Sequence, residues 1–129
     1  MTELNQKVEQ YDLREHVIFL GRRNDIPDLL KMIDILIIPS AFEGFPLAGL
    51  AAAAGVPVIA CDAAGAEEFI RVSRDGVTFA EDDVDSAADA VGKILEGKEQ
   101  YKKAGIEFAS QMSNREYSTK VEQIVKSIE

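Results

Sequence analysis

Residues 35–50 read ILIIPSAFEGFPLAGL, and this stretch decides the fold class. Ile35 to Ile38 are all apolar, as in a strand covered on both faces, which is how parallel strands are placed. The run ends at Pro39. A turn containing Glu43 and Gly44 follows, and then a segment that reads as a helix opened by Pro46, where the missing N–H costs nothing. Strand, tight turn, helix is a ligand-holding geometry. The first turn of a helix presents unpaired N–H groups and partial positive charge, which suit phosphate or hydroxyl oxygens. In open α/β sheets such turns line the binding crevice.

Working outward, the same alternation continues on both sides. Residues 2–14 have the spacing of an amphipathic helix, with Leu4, Val8 and Tyr11 on one face. VIFLG (17–21) reads as an apolar strand ended by Gly21. Asn24 or Asp25 is placed to cap a short helix with Pro27 in its first turn and Leu29, Leu30 and Ile33 inward. After the ILIIP strand (35–39), residues 46–54 form a small alanine-rich helix stopped by Gly55. PVIAC (57–61) is a third strand, Glu67 to Val72 a helix, and GVTFA (76–80) a fourth, shorter strand.

From Asp83 onward the pattern is helical: residues 84–96, residues 98–111, and a last helix from Ser113. There Glu116 completes a capping box, and Tyr117, Val121, Ile124, Val125 and Ile128 share a side. Strands alternating with helices predict an α/β fold, a doubly wound, Rossmann-like, mostly parallel sheet with helices on both faces.

Composition limits the function classes. At 129 residues the chain is one domain, able to bury roughly two-thirds of its unfolded surface. Apolar residues make up 47%, the ordinary globular share. Lys and Arg total 14 against 23 Asp and Glu, a formal charge of −9. Such a surface repels nucleic-acid phosphate and anionic lipid, so neither is an expected partner. A single cysteine, Cys61, fits a reducing cytoplasm. The longest uncharged stretch, Phe45 to Cys61, is broken by Gly55 and Pro57 and does not read as a membrane span.

The residues quoted so far resemble one family: the C-terminal, donor-binding half of retaining glycosyltransferases with two facing Rossmann-like domains, the GT-B fold, of the glycosyl transferases group 1 type. VIFLG, a capped helix with LL, DILIIPS, EGFPL, GVPVIACD, a Gly–x–x–Glu step and a DG turn fall in the family's order. The resemblance implies that Glu43 sits beside the transferred sugar and hydrogen-bonds its hydroxyls, as the residue nearest to catalysis. It implies that backbone N–H groups of Gly44, Phe45 and Leu47 surround the sugar and diphosphate, with Pro46, which has none, opening the helix among them. It puts Gly21 and Arg22, with Arg23, near the nucleobase, and gives Glu68 a supporting role. The implied ligand is a nucleotide diphosphate sugar, with no cofactor and no metal, since basic side chains and helix dipoles neutralise the leaving group.

Departures from the family pattern carry their own expectations. Where the family has a second glutamate for the ribose, this chain has Ala51, which accepts no hydrogen bond; the loss is worth about 1.5–3 kcal/mol. Ala64 stands where a glycine is usual. The family's first two strand–helix units, with an Arg and a Lys for the diphosphate, have no counterpart here, nor has the acceptor domain. The 129 residues are therefore expected to be a partial donor domain: a fragment, a truncated reading frame, or one piece of a split enzyme, inactive alone. A missing acceptor domain or partner chain would complete the cleft, and unpaired strand edges favour a homodimer. Membrane contact is expected only peripherally, through the parent enzyme. The resemblance implies that the parent transfers sugar, with retention, to a polysaccharide or lipid-linked acceptor in the cytoplasm.

Taken residue by residue, plainer readings stand beside these. Glu43 alone could serve as a helix-start carboxylate, Arg22 and Arg23 as solvated turn residues, and Cys61 as a small core hydrophobe. His16 has no second ligand beside it, and the acids at 81–85 lack the glycine and glutamate of a calcium loop. No Ser–His–Asp set or Walker-type loop is present. The alternative is a degenerate or split non-catalytic domain that binds a partner and no nucleotide. A sugar-nucleotide epimerase would need acids and a histidine that find no place here.

Overall fold

The computed structural model describes residues 2–40, 46–62 and 66–112. Helix α1 spans Thr2–Gln10, α2 Ile26–Leu30, strand β1 Leu36–Ile38, α3 Pro46–Ala54, β2 Val58–Cys61, α4 Ala66–Ser73, β3 Gly76–Phe79 and α5 Val84–Gln111. The three strands form one parallel sheet in the order β1-β2-β3, with Leu36 opposite Val58 and Val58 opposite Gly76. Each strand returns to its neighbour through a helix, as parallel pairing requires.

Strand β2 is central, and its four residues are all buried. The period of two along a strand splits its neighbours into two cores. Val58 and Ala60 pack with Leu30 of α2, Ala51 of α3 and Ile70 of α4, flanked by Leu36 and Ile38. Ile59 faces the other way, onto Ala90 and Ile94 of α5, flanked by Val77 and Phe79. The predicted α/β class, parallel sheet and helices on both faces are therefore present.

Close approach depends on two glycines. A Cβ on Gly76 would lie 1.8 Å from the Val58 carbonyl oxygen, so β3 meets β2 only because that atom is missing. A Cβ on Gly105 would lie 3.2 Å from the Ala52 Cα and 3.1 Å from the Asp75 Cβ, so α5 lies directly on α3 there. Gly55 ends α3 with φ +70, a conformation that a side chain resists.

The sequence splits the end of the described chain into helices at 84–96 and 98–111. In the structure they run as one α5 that bends at Gly97, whose φ −112 and ψ 20 are not helical. The bend lets the first half cover the sheet and the second half turn onto α3 and α4. Phe108 meets Phe69 there edge to face, with ring centroids 5.5 Å apart at 84°. Asp83 caps α5, accepting from the Ser86 N–H at 2.9 Å, while Ser86 Oγ accepts from the Ala80 N–H at 3.1 Å. Asp83→Ala is expected to lower stability by about 1 kcal/mol, measured as a shift of the urea midpoint with unchanged slope.

Four expectations need correction. VIFLG (17–21) is not a strand: no backbone bond pairs Ile18 to Leu20 among the described residues, and Ile18 is 81% exposed. A strand exists only with a neighbour to bond to, so the described sheet has three strands rather than four. ILIIP is not covered on both faces: Ile37 is 49% exposed, because α5 packs mainly over β2 and β3. Helix α1 stops at Gln10 rather than residue 14, since Asp12 turns out at φ 54, and Leu4 and Tyr11 remain exposed. Ile33 is exposed too, beyond the end of α2. The predicted helix from Ser113 lies outside the described residues.

Candidate functional site

All three strands point the same way, so their C-terminal ends share one edge of the sheet. From that edge emerge Pro39 and Ser40 after β1, Asp62 after β2, and Ala80 and Glu81 after β3. The loops are tied together: the Asp62 N–H donates to the Phe79 carbonyl at 2.9 Å, and Asp62 Oδ1 accepts from the Glu81 N–H at 3.3 Å. Helix α3 opens at this edge with Pro46, and its first turn holds no acidic residue. The dipole end of α3 therefore has no carboxylate of its own helix to answer it.

Glu43, Gly44 and Phe45, the centre of the predicted site, lie outside the described residues, as does Ala64. Pro46 and Leu47 form the opening turn of α3, as expected. Ala51 is fully buried among Leu30, Val56 and Val58, so its methyl belongs to the core and offers no polar atom to a ligand.

Gly21 adopts φ 63, in the left-handed region, where VIFLG ends. Arg22 is exposed. Arg23 is committed elsewhere: Nε and Nη2 donate to Asp25 Oδ1 and Oδ2 at 2.8 and 2.5 Å. That fork holds the Asp25 carboxyl below its usual range and raises the guanidinium. It also explains why Asp25, at the N-cap position of α2, makes no side-chain cap. The structure thus brings the α3 opening to the strand ends, but the Gly21–Arg22 turn belongs to a segment with no strand partner among the described residues.

Glu68 is exposed on α4 and pairs with Arg71 at 3.6 Å. Cys61 is buried in β2, in keeping with a small core hydrophobe. Among the described residues no group of three His, Cys, Asp or Glu side chains could hold a metal ion, and no helix is long and apolar enough to cross a membrane. Sequence reasoning missed Asp75. It sits in the DG turn before β3, fully buried, with Oδ1 accepting from Ser73 Oγ at 2.5 Å and Oδ2 without a partner among the described residues. Desolvation raises its carboxyl above the usual value, opposed by the Ser73 bond. The only sequence signal was an acid directly before an apolar strand.

Comparison with known proteins fits this arrangement. A family model described as Glycosyl transferases group 1 matches residues 2–111. A lipopolysaccharide core biosynthesis mannosyltransferase of Rhizobium meliloti is 31% identical over 75% of this chain and 28% of its own length. A UDP-Gal:alpha-D-GlcNAc-diphosphoundecaprenol alpha-1,3-galactosyltransferase of Escherichia coli is 35% identical over 67% of this chain and 23% of its own. The chain thus spans about a quarter of the length of these relatives. Among solved structures, Anabaena HepE in complex with UDP and glucose superposes with TM-score 0.78 at 26% identity, over 98% of this chain and 35% of that one. A sucrose-phosphate synthase from Thermosynechococcus elongatus, TM-score 0.81 at 23% identity, shares the fold over 98% of this chain and 34% of that one. With a parallel sheet, a helix opening at its C-terminal edge and a family match over nearly all the described residues, this chain belongs to the glycosyl transferases group 1 family.

Proposed function

We propose that these residues form the donor-sugar-binding part of a GT-B glycosyltransferase that moves a sugar, with retention, from a nucleotide diphosphate to a polysaccharide or lipid-linked hydroxyl. The observation that carries the reading is the opening of α3 at the C-terminal edge of the sheet, with no acid of its own in the first turn. A diphosphate placed there meets unpaired N–H groups and the positive end of the helix dipole. Stabilising the leaving diphosphate is then the main catalytic effect, and it needs no metal or other cofactor.

In this reading Glu43, one residue before Gly44, hydrogen-bonds the sugar hydroxyls, and the backbone from Gly44 through Phe45 and Pro46 to Leu47 frames sugar and diphosphate. Gly21 and Arg22 approach the nucleobase; Arg22 is the better candidate of the two arginines, since Arg23 is engaged by Asp25. An acceptor domain or partner chain supplies the other wall, in the cytoplasm, and membrane contact comes only through the parent enzyme. The lipid-linked diphosphate in the name of the Escherichia coli relative and the lipopolysaccharide in that of the Rhizobium one support the acceptor class.

Calorimetric titration with UDP, GDP and their sugars tests the reading. Binding at millimolar concentration or tighter is expected, and Glu43→Ala should weaken the sugar nucleotide by about 10- to 150-fold, the 1.5–3 kcal/mol of a charged hydrogen bond. The free nucleotide should be affected less. Absence of heat with every nucleotide, from a folded chain, would overturn it. One observation favours a second reading, a partner-binding domain without nucleotide: the fully buried Ala51, where the family's ribose carboxylate would be.

A further inference from the structure

We propose that Asp75 is a pH-sensitive latch for the second half of α5, residues 98–111, which it holds against α3 and α4 when protonated and releases about Gly97 when ionised. Three geometric facts meet at this point. The Asp75 side chain is fully buried and its Oδ2 has no partner among the described residues. What covers it includes α5, whose Gly105 would bring a Cβ within 3.1 Å of the Asp75 Cβ. That arm is joined to the rest of α5 by a residue already out of helical geometry, Gly97.

A neutral carboxyl can stay buried with one oxygen unanswered at modest cost, whereas an ionised one cannot without a partner or water. Among the described residues no charged group supplies that partner. On α5 the neighbours Lys102, Lys103 and Glu107 are exposed; Arg71 on α4 and Arg74 just after it are exposed, Arg71 already near Glu68; residues 46–54 of α3 carry no charge. The Ser73 hydroxyl answers the carboxylate at Oδ1 and the Asp75 backbone N–H also favours the ionised form, but Oδ2 has no partner among the described residues. On the sheet side the backbone is fixed, because the Asp75 carbonyl accepts from the Val58 N–H at 3.0 Å. Rehydration therefore comes most easily by lifting the arm, which turns on Gly97 without breaking the sheet.

The sign follows from the direction of the shift. Burial raises the folded carboxyl above its unfolded value of about 4. The stabilisation from this group is complete below that value and is lost as pH rises through the higher folded one.

Amide hydrogen exchange of the whole chain between pH 4 and 8, corrected for intrinsic rates, reads this directly. Protection across 98–111 should fall by at least about threefold over that range while 84–96 changes less, and Asp75→Asn should flatten the dependence. Should Asp75→Asn fail to fold, Ser73→Ala replaces it: without the hydroxyl the ionised form is worse accommodated, so the fall should steepen. Equal changes in both halves of α5, or a pH dependence unaltered by whichever variant folds, overturn the proposal.

Discussion

Gly76→Ala is expected to remove most of the stability of this fold, by about 3 kcal/mol or more, out of the 5–15 kcal/mol typical of a domain. The added Cβ would sit 1.8 Å from the Val58 carbonyl oxygen. That is deep inside van der Waals contact, and the obstacle is backbone rather than the tip of a flexible side chain. Relief requires β3 to move away from β2, which breaks the Val58–Gly76 register. With it goes the alignment of Val77 and Phe79 over Ile59 and of α5 behind them. Thermal and urea unfolding should show a strongly lowered midpoint, with part of the protein unfolded without denaturant. Gly92→Ala provides the contrast: nothing lies within 4 Å of its Cβ position, it is exposed on α5, and removing a helix glycine should gain up to about 1 kcal/mol. A Gly76→Ala midpoint equal to that of the parent would contradict the strand register.

The parts of the fold that could be read from sequence are those whose partners are near in sequence. Helix α3 begins at Pro46 and ends at Ala54, before Gly55, as proline and glycine punctuation predict, because both signals act on the local backbone. The buried β2 was legible as PVIAC on a different ground: every residue is apolar, which signals cover on both faces even though Ala90 and Ile94 of α5, which cover Ile59, lie more than thirty residues on. VIFLG failed for the complementary reason. Its apolar run has the composition of a strand, but composition does not supply a neighbour, and none bonds it among the described residues. The Asn24/Asp25 cap was legible as a position but not as a bond, since a nearby guanidinium competed for the carboxylate. Asp75 was illegible because its burial comes from α5, thirty residues further on by sequence at Gly105.

Ala51→Glu carries the other large effect and decides between the two functional readings. The position is fully buried, packed with Leu30, Val56 and Val58, and α3 offers no basic residue to meet a carboxylate. A charge left unpaired in such a core costs on the order of 3–5 kcal/mol. The introduced carboxyl should therefore prefer its neutral form when folded, so the loss of stability should be largest at neutral pH. It should shrink as pH falls towards the ordinary glutamate value of about 4.3. Under this expectation the variant shows a lowered unfolding midpoint at pH 7, partly restored near pH 4.5, and no tighter binding of any nucleotide sugar. The alanine is then part of the core packing and not a simple vacancy in the binding site. If instead the variant keeps the parent's midpoint and binds a nucleotide sugar tenfold or more tighter, the new side chain has reached the crevice at the strand ends. A carboxylate there would meet ribose hydroxyls, and the partner-binding reading would lose the one observation in its favour.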